Sequence, residues 1–415
     1  MEEIRKEKAV LAGITNDRKD QPYSTQATMD ELAELAKTAG AEVCAVVLQP
    51  KDAPDAATYL GSGKLGELAE FCRTLEADLI IFDDELTGSQ QRNIEEATDT
   101  RVIDRSTLIL DIFASRAISL EGKLQVELAQ MKYMLPRLGG MGKSLSRLGA
   151  GIGTRGPGES KLETDRRHIR TRISHLQRQL DEVSKRRNYA RERRKKDGRQ
   201  TAVLVGYTNA GKSTILNALT DAGVLAENKL FATLDPTARG LQLPDGREAV
   251  LIDTVGFIRK LPHHLVRAFR STLEEAVYAD VLLHVVDSTS PEVSQHLAVS
   301  EQLLAELGCG DTPTIRIFNK CDQLETVPPS NDERLYLSAE TGYHMEELLK
   351  LISIKMPVTK RRMELILPYA AAGLSDALRK DGKVLAEEYV PEGIKITADI
   401  EQKAVHRYEQ YEYRV

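Results

Sequence analysis

The stretch VLVGYTNAGKSTI, Val203 to Ile215, decides the fold. Gly206 stands five residues before Gly211, and Lys212 and Ser213 follow, which is the spacing G-x-x-x-x-G-K-[ST] of a phosphate-binding loop. The apolar run TAVLV leads in as a strand and STILNALT leads out as a helix. The two glycines let the backbone wrap round phosphate, while the loop N–H groups and the helix N-terminus favour negative charge. Lys212 reaches the terminal phosphates and Ser213 offers its hydroxyl to magnesium. The loop residues Tyr207, Thr208, Asn209 and Ala210, and Thr214 behind them, complete this predicted contact surface.

A second Gly-Lys-Ser lies in RLGGMGKSLSRLGAG, Arg137 to Gly151. There the position matching Gly206 is Arg137, Pro136 precedes it, and no strand leads in. This copy fails the geometric requirement for a phosphate loop.

Three stretches follow the true loop in order. DTVGF, Asp253 to Phe257, ends the strand AVLI. Asp253 is placed to hold magnesium through water, Gly256 to offer its N–H to a γ-phosphate, and Thr254 and Val255 lie between them. NKCD, Asn319 to Asp322 with Lys320 and Cys321 inside, ends the strand TIRIF. A carboxylate at Asp322 accepts two hydrogen bonds from the ring N–H and amino group of guanine. Adenine lacks that pair, and a site built on a buried acceptor rejects the wrong ligand by up to ~10⁴-fold. SAE, Ser338, Ala339 and Glu340, follows RLYL where a loop closes over a base.

The set resembles the translation-factor-like GTPases. LFATLDPTARG, Leu230 to Gly240, resembles the switch segment of the Obg and HflX families. The resemblance implies nucleotide contacts from Phe231, Ala232, Thr233, Leu234 and Asp235. It also implies a threonine that completes the magnesium shell, assigned here to Thr233 rather than Thr237, which is read as the cap of a turn after Pro236. Lys212, Thr233 and Gly256 are the expected catalytic groups, and Ser213, Thr233 and Asp253 the expected metal set. Many small GTPases orient the attacking water with a glutamine just after D-x-x-G. Phe257 stands there and cannot bond water, so backbone, potassium, another side chain or a partner must do so.

Around this centre the chain is read as a multidomain α/β protein. Its GTPase domain, residues 200–359, is a mostly parallel sheet with helices on both faces. Residues 1–120 alternate strands (AVLAGI, VCAVVLQ, DLIIFD) with helices and form an α/β domain. GSGK, Gly61 to Lys64, is read there as a turn before a helix. Residues 121–199 form a basic helical arm: KLQVELAQMKYML ended by Pro136, a glycine-rich loop at 139–158, and a long helix with a stripe Ile169, Ile173, Leu176, Leu180, Val183. A turn at Asp197-Gly198 precedes the GTPase domain. Residues 360–415 form a small α/β domain.

The 415 residues carry 57 basic and 63 acidic side chains, a net charge of −6. Arg137 to Arg199 holds 19 basic and 7 acidic residues, or +12, so the remainder carries −18. Such a local footprint suits a polyanion, although a solvated charged helix has the same composition. Arg137, Lys143, Arg147 and Arg155 punctuate the glycines and are the expected RNA contacts. No apolar run approaches the ~20 residues of a membrane helix. The four scattered cysteines fit a reducing cytoplasm and core packing.

The glycine-rich stretch, GTRGPGESKLETDRR and the flanking helices resemble the HflX family specifically. The family implies a GTPase that binds the large ribosomal subunit and splits stalled ribosomes, with the loop at the arm's tip directed to the peptidyl-transferase RNA. Magnesium is the implied cofactor and GTP the substrate. A monomer without membrane insertion is expected. The alternatives are a large-subunit assembly GTPase and a signalling GTPase whose basic arm binds another partner.

Overall fold

The computed structural model describes residues 5–15, 23–138, 161–196, 199–220, 230–260, 262, 270–357 and 360–413. The glycine-rich loop, with Lys143, Arg147 and Arg155, and the Asp197-Gly198 turn lie outside the described residues.

The first sheet has the order β2-β1-β3-β4, all parallel: β1 Lys8–Thr15, β2 Glu42–Pro50, β3 Leu79–Phe82 and β4 Arg101–Asp104. Helices α1 Thr25–Thr38, α2 Ser62–Leu75, α3 Gly88–Thr98 and α4 Arg105–Arg116 connect and follow the strands. Along β1, Ala9 and Leu11 enter one apolar cluster and Val10 and Ala12 another. Burial on both faces is what a parallel sheet covered by helices requires. Ser24, Thr87 and Asp104 cap α1, α3 and α4 through side-chain oxygens. Gly61 is the residue before α2, and Gly63 lies inside its first turn rather than in a preceding loop.

Helix α5, Leu120–Arg137, packs antiparallel on α6, Lys161–Lys196. Leu124 and Leu128 meet Leu176, flanked by Ile173, Leu180 and Val183 of the predicted stripe. Arg172 pairs with Glu127 and Arg187 with Glu121, each at 2.6 Å. Pro136 does not end α5; it sits in the last turn, and the helix closes one residue later at Arg137. So near the end of a helix, the lost N–H costs one bond and no following turn is disrupted.

The second sheet has the order β10-β9-β8-β5-β7-β6. Its strands are β5 Gln200–Gly206, β6 Thr237–Gln242, β7 Glu248–Asp253, β8 Val281–Asp287, β9 Thr314–Asn319 and β10 Arg334–Tyr336. All pair parallel except β6, which runs antiparallel to β7 at the edge. Helices α7 Lys212–Leu219, α8 Arg270–Val277, α9 Val293–Glu306 and α10 Met345–Lys355 belong to this part. Thr237 opens β6 opposite Asp253 and does not cap a turn. Beyond it, β11 Lys360–Leu367, α11 Gly373–Asp381, β12 Gly382–Val390 and β13 Gly393–Glu401 make an antiparallel sheet, order β11-β13-β12, with its own core.

The first two sheets share one apolar core. The cluster that holds Leu11, Leu32 and Phe113 also holds Val203, Phe231, Ile252 and Phe257. Each fully buried large apolar side chain contributes about 1.5–3 kcal/mol relative to exposure. The surface carrying the phosphate loop is therefore packed against the first sheet's helices rather than tethered to them.

Candidate active site

Strand β5 delivers the chain to Gly206, and α7 begins at Lys212. Both loop glycines are sterically required. Gly206 has φ +143°, and a Cβ there would lie 2.1 Å from the Val285 carbonyl oxygen; Gly211 has φ +93°, and its Cβ would lie 2.1 Å from Asn319 Nδ2. The cavity above the loop is lined by Thr208, Asn209, Gly211, Lys212, Ser213 and Thr214. Phe231, Ala232, Thr233, Thr254 and Gly256 close it.

Lys212 is buried, and its Nζ donates to the carbonyls of Tyr207 at 2.9 Å and Gly206 at 3.2 Å. Burial lowers its pKa to about 8, with Asp253 pulling the other way. Asp253 is fully buried, which pushes its carboxyl up, while Lys212, Ser213 and Thr233 pull it back. The Ser213 hydroxyl donates to Asp253 Oδ2 at 2.7 Å, and the Thr233 hydroxyl donates to the same oxygen at 2.9 Å. The two hydroxyl oxygens are 2.9 Å apart. Among the described residues, Asp253 Oδ1 and Thr208 Oγ1 are buried without a hydrogen-bond partner. Three hard oxygens therefore converge beside a cationic loop, and uncommitted polar atoms remain next to them.

The segment after β7 is fitted closely to the loop. Thr254 donates its hydroxyl to the Leu204 carbonyl at 2.7 Å. A Cβ on Gly256 would lie 2.7 Å from Thr208 Cα and 2.9 Å from Lys212 Nζ. Phe257 pairs by backbone with Gly206 and Thr208, and its ring is 1% exposed in the shared core. The ring is packing, and no side chain at that position faces the cavity. Val255 is buried as well.

At the other end, the Asn319 side chain donates to the Ala210 carbonyl at 2.9 Å and accepts from the Ala339 N–H at 3.1 Å. Lys320 takes a left-handed conformation (φ 65°) and its ammonium reaches Asp287 at 2.6 Å, which holds that carboxyl low. Cys321 is buried, with its N–H on the Leu337 carbonyl at 3.2 Å. Ser338 is buried and accepts from the Thr341 N–H at 3.2 Å. Asp322 and Glu340 are exposed, so the carboxylate expected to read guanine is not the buried acceptor that the sequence leads one to expect. Asn319 thus brings the NKCD and SAE stretches to the phosphate loop.

Two expected contacts point elsewhere. The Asp235 carboxylate accepts the N–H groups of Ile118 at 2.9 Å and Ser119 at 2.8 Å, so it serves the start of α5 rather than the cavity. Arg137, expected to touch RNA, is folded inward. Its guanidinium lies 3.5 Å over the Tyr133 ring and donates to the Leu86 carbonyl at 3.1 Å. Carboxylates of Glu85 and Asp104 lie 3.7 and 3.8 Å away, so its charge is spent within the chain.

A buried polar knot beside the loop escaped the sequence reading. The Tyr207 hydroxyl donates to Glu31 of α1 and accepts from the Arg259 N–H at 2.8 Å. Glu31 also accepts from the Arg259 N–H at 3.1 Å and pairs with Arg105, which reaches Asp83 at 2.7 Å. Lys260 joins Asp83 and Asp84 at 2.6 and 2.8 Å. The only sequence signal was Glu31 lying in the helical row of Thr28 and Leu35, both buried.

Three family models match the chain in succession. They are described as GTP-binding GTPase N-terminal over residues 26–114, GTP-binding GTPase Middle Region over 116–194, and 50S ribosome-binding GTPase over 201–320. The chain is 52% identical over 402 residues to the GTPase HflX of Caldanaerobacter subterraneus subsp. tengcongensis, covering 96% of this chain and 93% of that protein. It is 49% identical over 402 residues to the GTPase HflX of Lacrimispora saccharolytica, covering 96% and 94%. Among solved structures, a GTP-binding protein from Sulfolobus solfataricus in complex with GDP aligns at 25% identity and a TM-score of 0.45, covering 84% of this chain and 98% of that one.

Proposed function

The chain belongs to the HflX family of GTPases, and from that premise we propose that it binds GTP at the Gly206–Thr214 loop, hydrolyses it with magnesium, and couples the cycle to the large ribosomal subunit. The observation that carries the nucleotide reading is the convergence of Ser213 and Thr233 on Asp253 Oδ2 beneath the phosphate loop. An all-oxygen donor set of this kind suits magnesium, which keeps several waters and binds through few protein ligands. Ser213 and Thr233 would hold it directly and Asp253 through water. When bound, magnesium neutralises charge that develops on the phosphate oxygens.

The remaining chemistry belongs to the chain. Lys212 leaves its two loop carbonyls and sets its charge on the terminal phosphates. The Gly256 N–H meets the γ-phosphate, which the tight fit against Thr208 and Lys212 supports. Asp322 reads guanine from the rim, with Asn319, Lys320 and the Ser338–Glu340 loop ordering the base pocket. Phe257 supplies nothing to the attacking water, so hydrolysis by the free protein is slow and a partner or a potassium ion completes the site. In this reading 200–359 does the chemistry while 1–120 and 121–199 position it.

The ribosomal part rests on the family and on the basic excess between Arg137 and Arg199, +12 by sequence, of which Arg137, Arg172, Arg187 and Arg191 are paired with carboxylates elsewhere in the chain. Sedimentation of the protein with large subunits and with intact ribosomes, in GTP analogue and in GDP, tests it. Nucleotide-dependent binding and separation of intact ribosomes into subunits are expected. Binding to free large subunits without splitting would favour an assembly role, and no binding to either would end the ribosomal reading.

A further inference from the structure

Thr233 stands between two anchors, and both lie at the junction of α4 and α5. Upstream, the Phe231 ring packs edge-on against Phe113 of α4, with centroids 4.6 Å apart at 71°. Downstream, the Asp235 carboxylate takes the Ile118 and Ser119 N–H groups and the Ser119 hydroxyl. Leu234, between them, is buried in the cluster that holds Ile109, Ala117 and Val126. Ser119 also caps α5 by accepting the Gly122 N–H at 2.9 Å. Asp235 therefore meets the positive end of an 18-residue helix, where a carboxylate is favoured.

Gly122 fits this arrangement. Glycine inside a helix costs stability relative to alanine. Here a Cβ would lie 2.4 Å from Asp235 Oδ1, so any larger residue must displace the carboxylate from this position.

We propose that Asp235 and Gly122 are positioning residues for hydrolysis: they latch the segment bearing Thr233 to the root of the α5–α6 arm. The latch rests on the reading of Thr233 as a magnesium ligand. Its consequence is reciprocal coupling. Whatever holds Thr233 in the loaded site also holds Asp235 on the Ile118 and Ser119 amides, and whatever tilts α5 acts on Thr233. A partner gripping the arm thereby reaches the active site without touching nucleotide.

The test uses the full chain and the variants Gly122→Ala, Asp235→Ala, Asp235→Asn and Thr233→Ala. Steady-state GTP hydrolysis, GDP affinity and amide exchange over Ile118–Gly122 are measured. Gly122→Ala should lower kcat roughly fivefold or more while GDP affinity stays within about twofold. Asp235→Asn, whose amide oxygen still accepts an N–H, should lose less than Asp235→Ala. In the unaltered chain the Ile118 and Ser119 amides should exchange more slowly with magnesium and a non-hydrolysable GTP analogue than with GDP, and Gly122→Ala should erase that difference. Exchange indifferent to nucleotide overturns the latch, as does unchanged kcat in Gly122→Ala. Should Gly122→Ala also lose GDP, Asp235→Ala decides, and wild-type kcat there overturns the proposal. An active Thr233→Ala would instead remove the magnesium reading itself, whereas an inactive one beside a normal Gly122→Ala removes only the latch.

Discussion

The side-chain amide of Asn319 donates to the Ala210 carbonyl at 2.9 Å, so a residue at the end of β9 fixes the middle of the phosphate loop. Its carbonyl oxygen also holds the Ala339 N–H. Asn319→Ala leaves both backbone groups unpaired in the interior, at about 1–3 kcal/mol each. Neither contact concerns a γ-phosphate. GTP and GDP affinities should therefore fall together by roughly tenfold or more. Titration of both nucleotides checks this, and loss of GTP alone would contradict it.

Asp322 lies at the exposed rim of that same end. Asp322→Asn should weaken GTP and favour xanthosine triphosphate, whose ring edge offers a carbonyl where guanine offers an amino group. Binding of both nucleotides to both proteins measures the switch. An unchanged preference would take Asp322 out of the base site.

Thr233 and Thr237 separate cleanly by position. Thr233 donates to Asp253 Oδ2, whereas Thr237 is paired in β6. Thr233→Ala should cut hydrolysis roughly 100-fold, as losing one preorganised electrostatic contact does elsewhere. Thr237→Ala should stay within about twofold. Single-turnover rates at saturating magnesium decide, and the reverse pattern would refute the assignment.

What the sequence disclosed follows from contiguity. The loop 206–214, DTVGF, NKCD and SAE are short runs at strand ends, so each carries its own signal. The contacts that set them relative to the rest do not: Asp235 with Ser119 spans 116 residues and Tyr207 with Glu31 spans 176. No periodicity reports such a pairing. The strands missed are those without an apolar run. β4 has four residues and ends in the cap Asp104, while β6 and β12 are largely exposed edges. Pro136 misled because a proline in a final turn removes a bond without ending the helix there.

Lys212 gives the site a pH dependence. Its pKa in the ligand-free protein is lowered to about 8 by burial. Phosphate favours the protonated ammonium, so binding above that value takes up a proton and weakens as pH rises. Between pH 7 and 8.5 the apparent Kd for GTP should rise about fourfold, following the fraction left protonated. Calorimetry in buffers of different ionisation enthalpy would register the proton uptake. Lys212→Arg, which cannot deprotonate, should bind less well at neutral pH but with a flatter profile. A steep profile retained in that variant would assign the titration to another group.

The two Gly-Lys-Ser copies lead to opposite expectations. Lys212 enters a helix behind two glycines that no other residue can replace. Lys143 has Arg137 in place of the first glycine and follows a helix, α5, rather than a strand. If 139–158 is an RNA-contacting tip, Lys143→Ala should leave GTP affinity within about twofold, and Lys212→Ala should abolish it. Replacing 139–158 with a neutral Gly/Ser linker should then weaken ribosome binding and flatten its salt dependence, because fewer phosphates are neutralised. Arg147→Ala and Arg155→Ala should each show part of that effect. Arg137→Ala should behave differently, since its guanidinium is held by Tyr133 and Leu86. It should lower thermal stability and leave the salt slope of ribosome binding unchanged. A salt slope that drops with Arg137→Ala, or a GTP affinity that drops with Lys143→Ala, would reverse the roles assigned to these two residues.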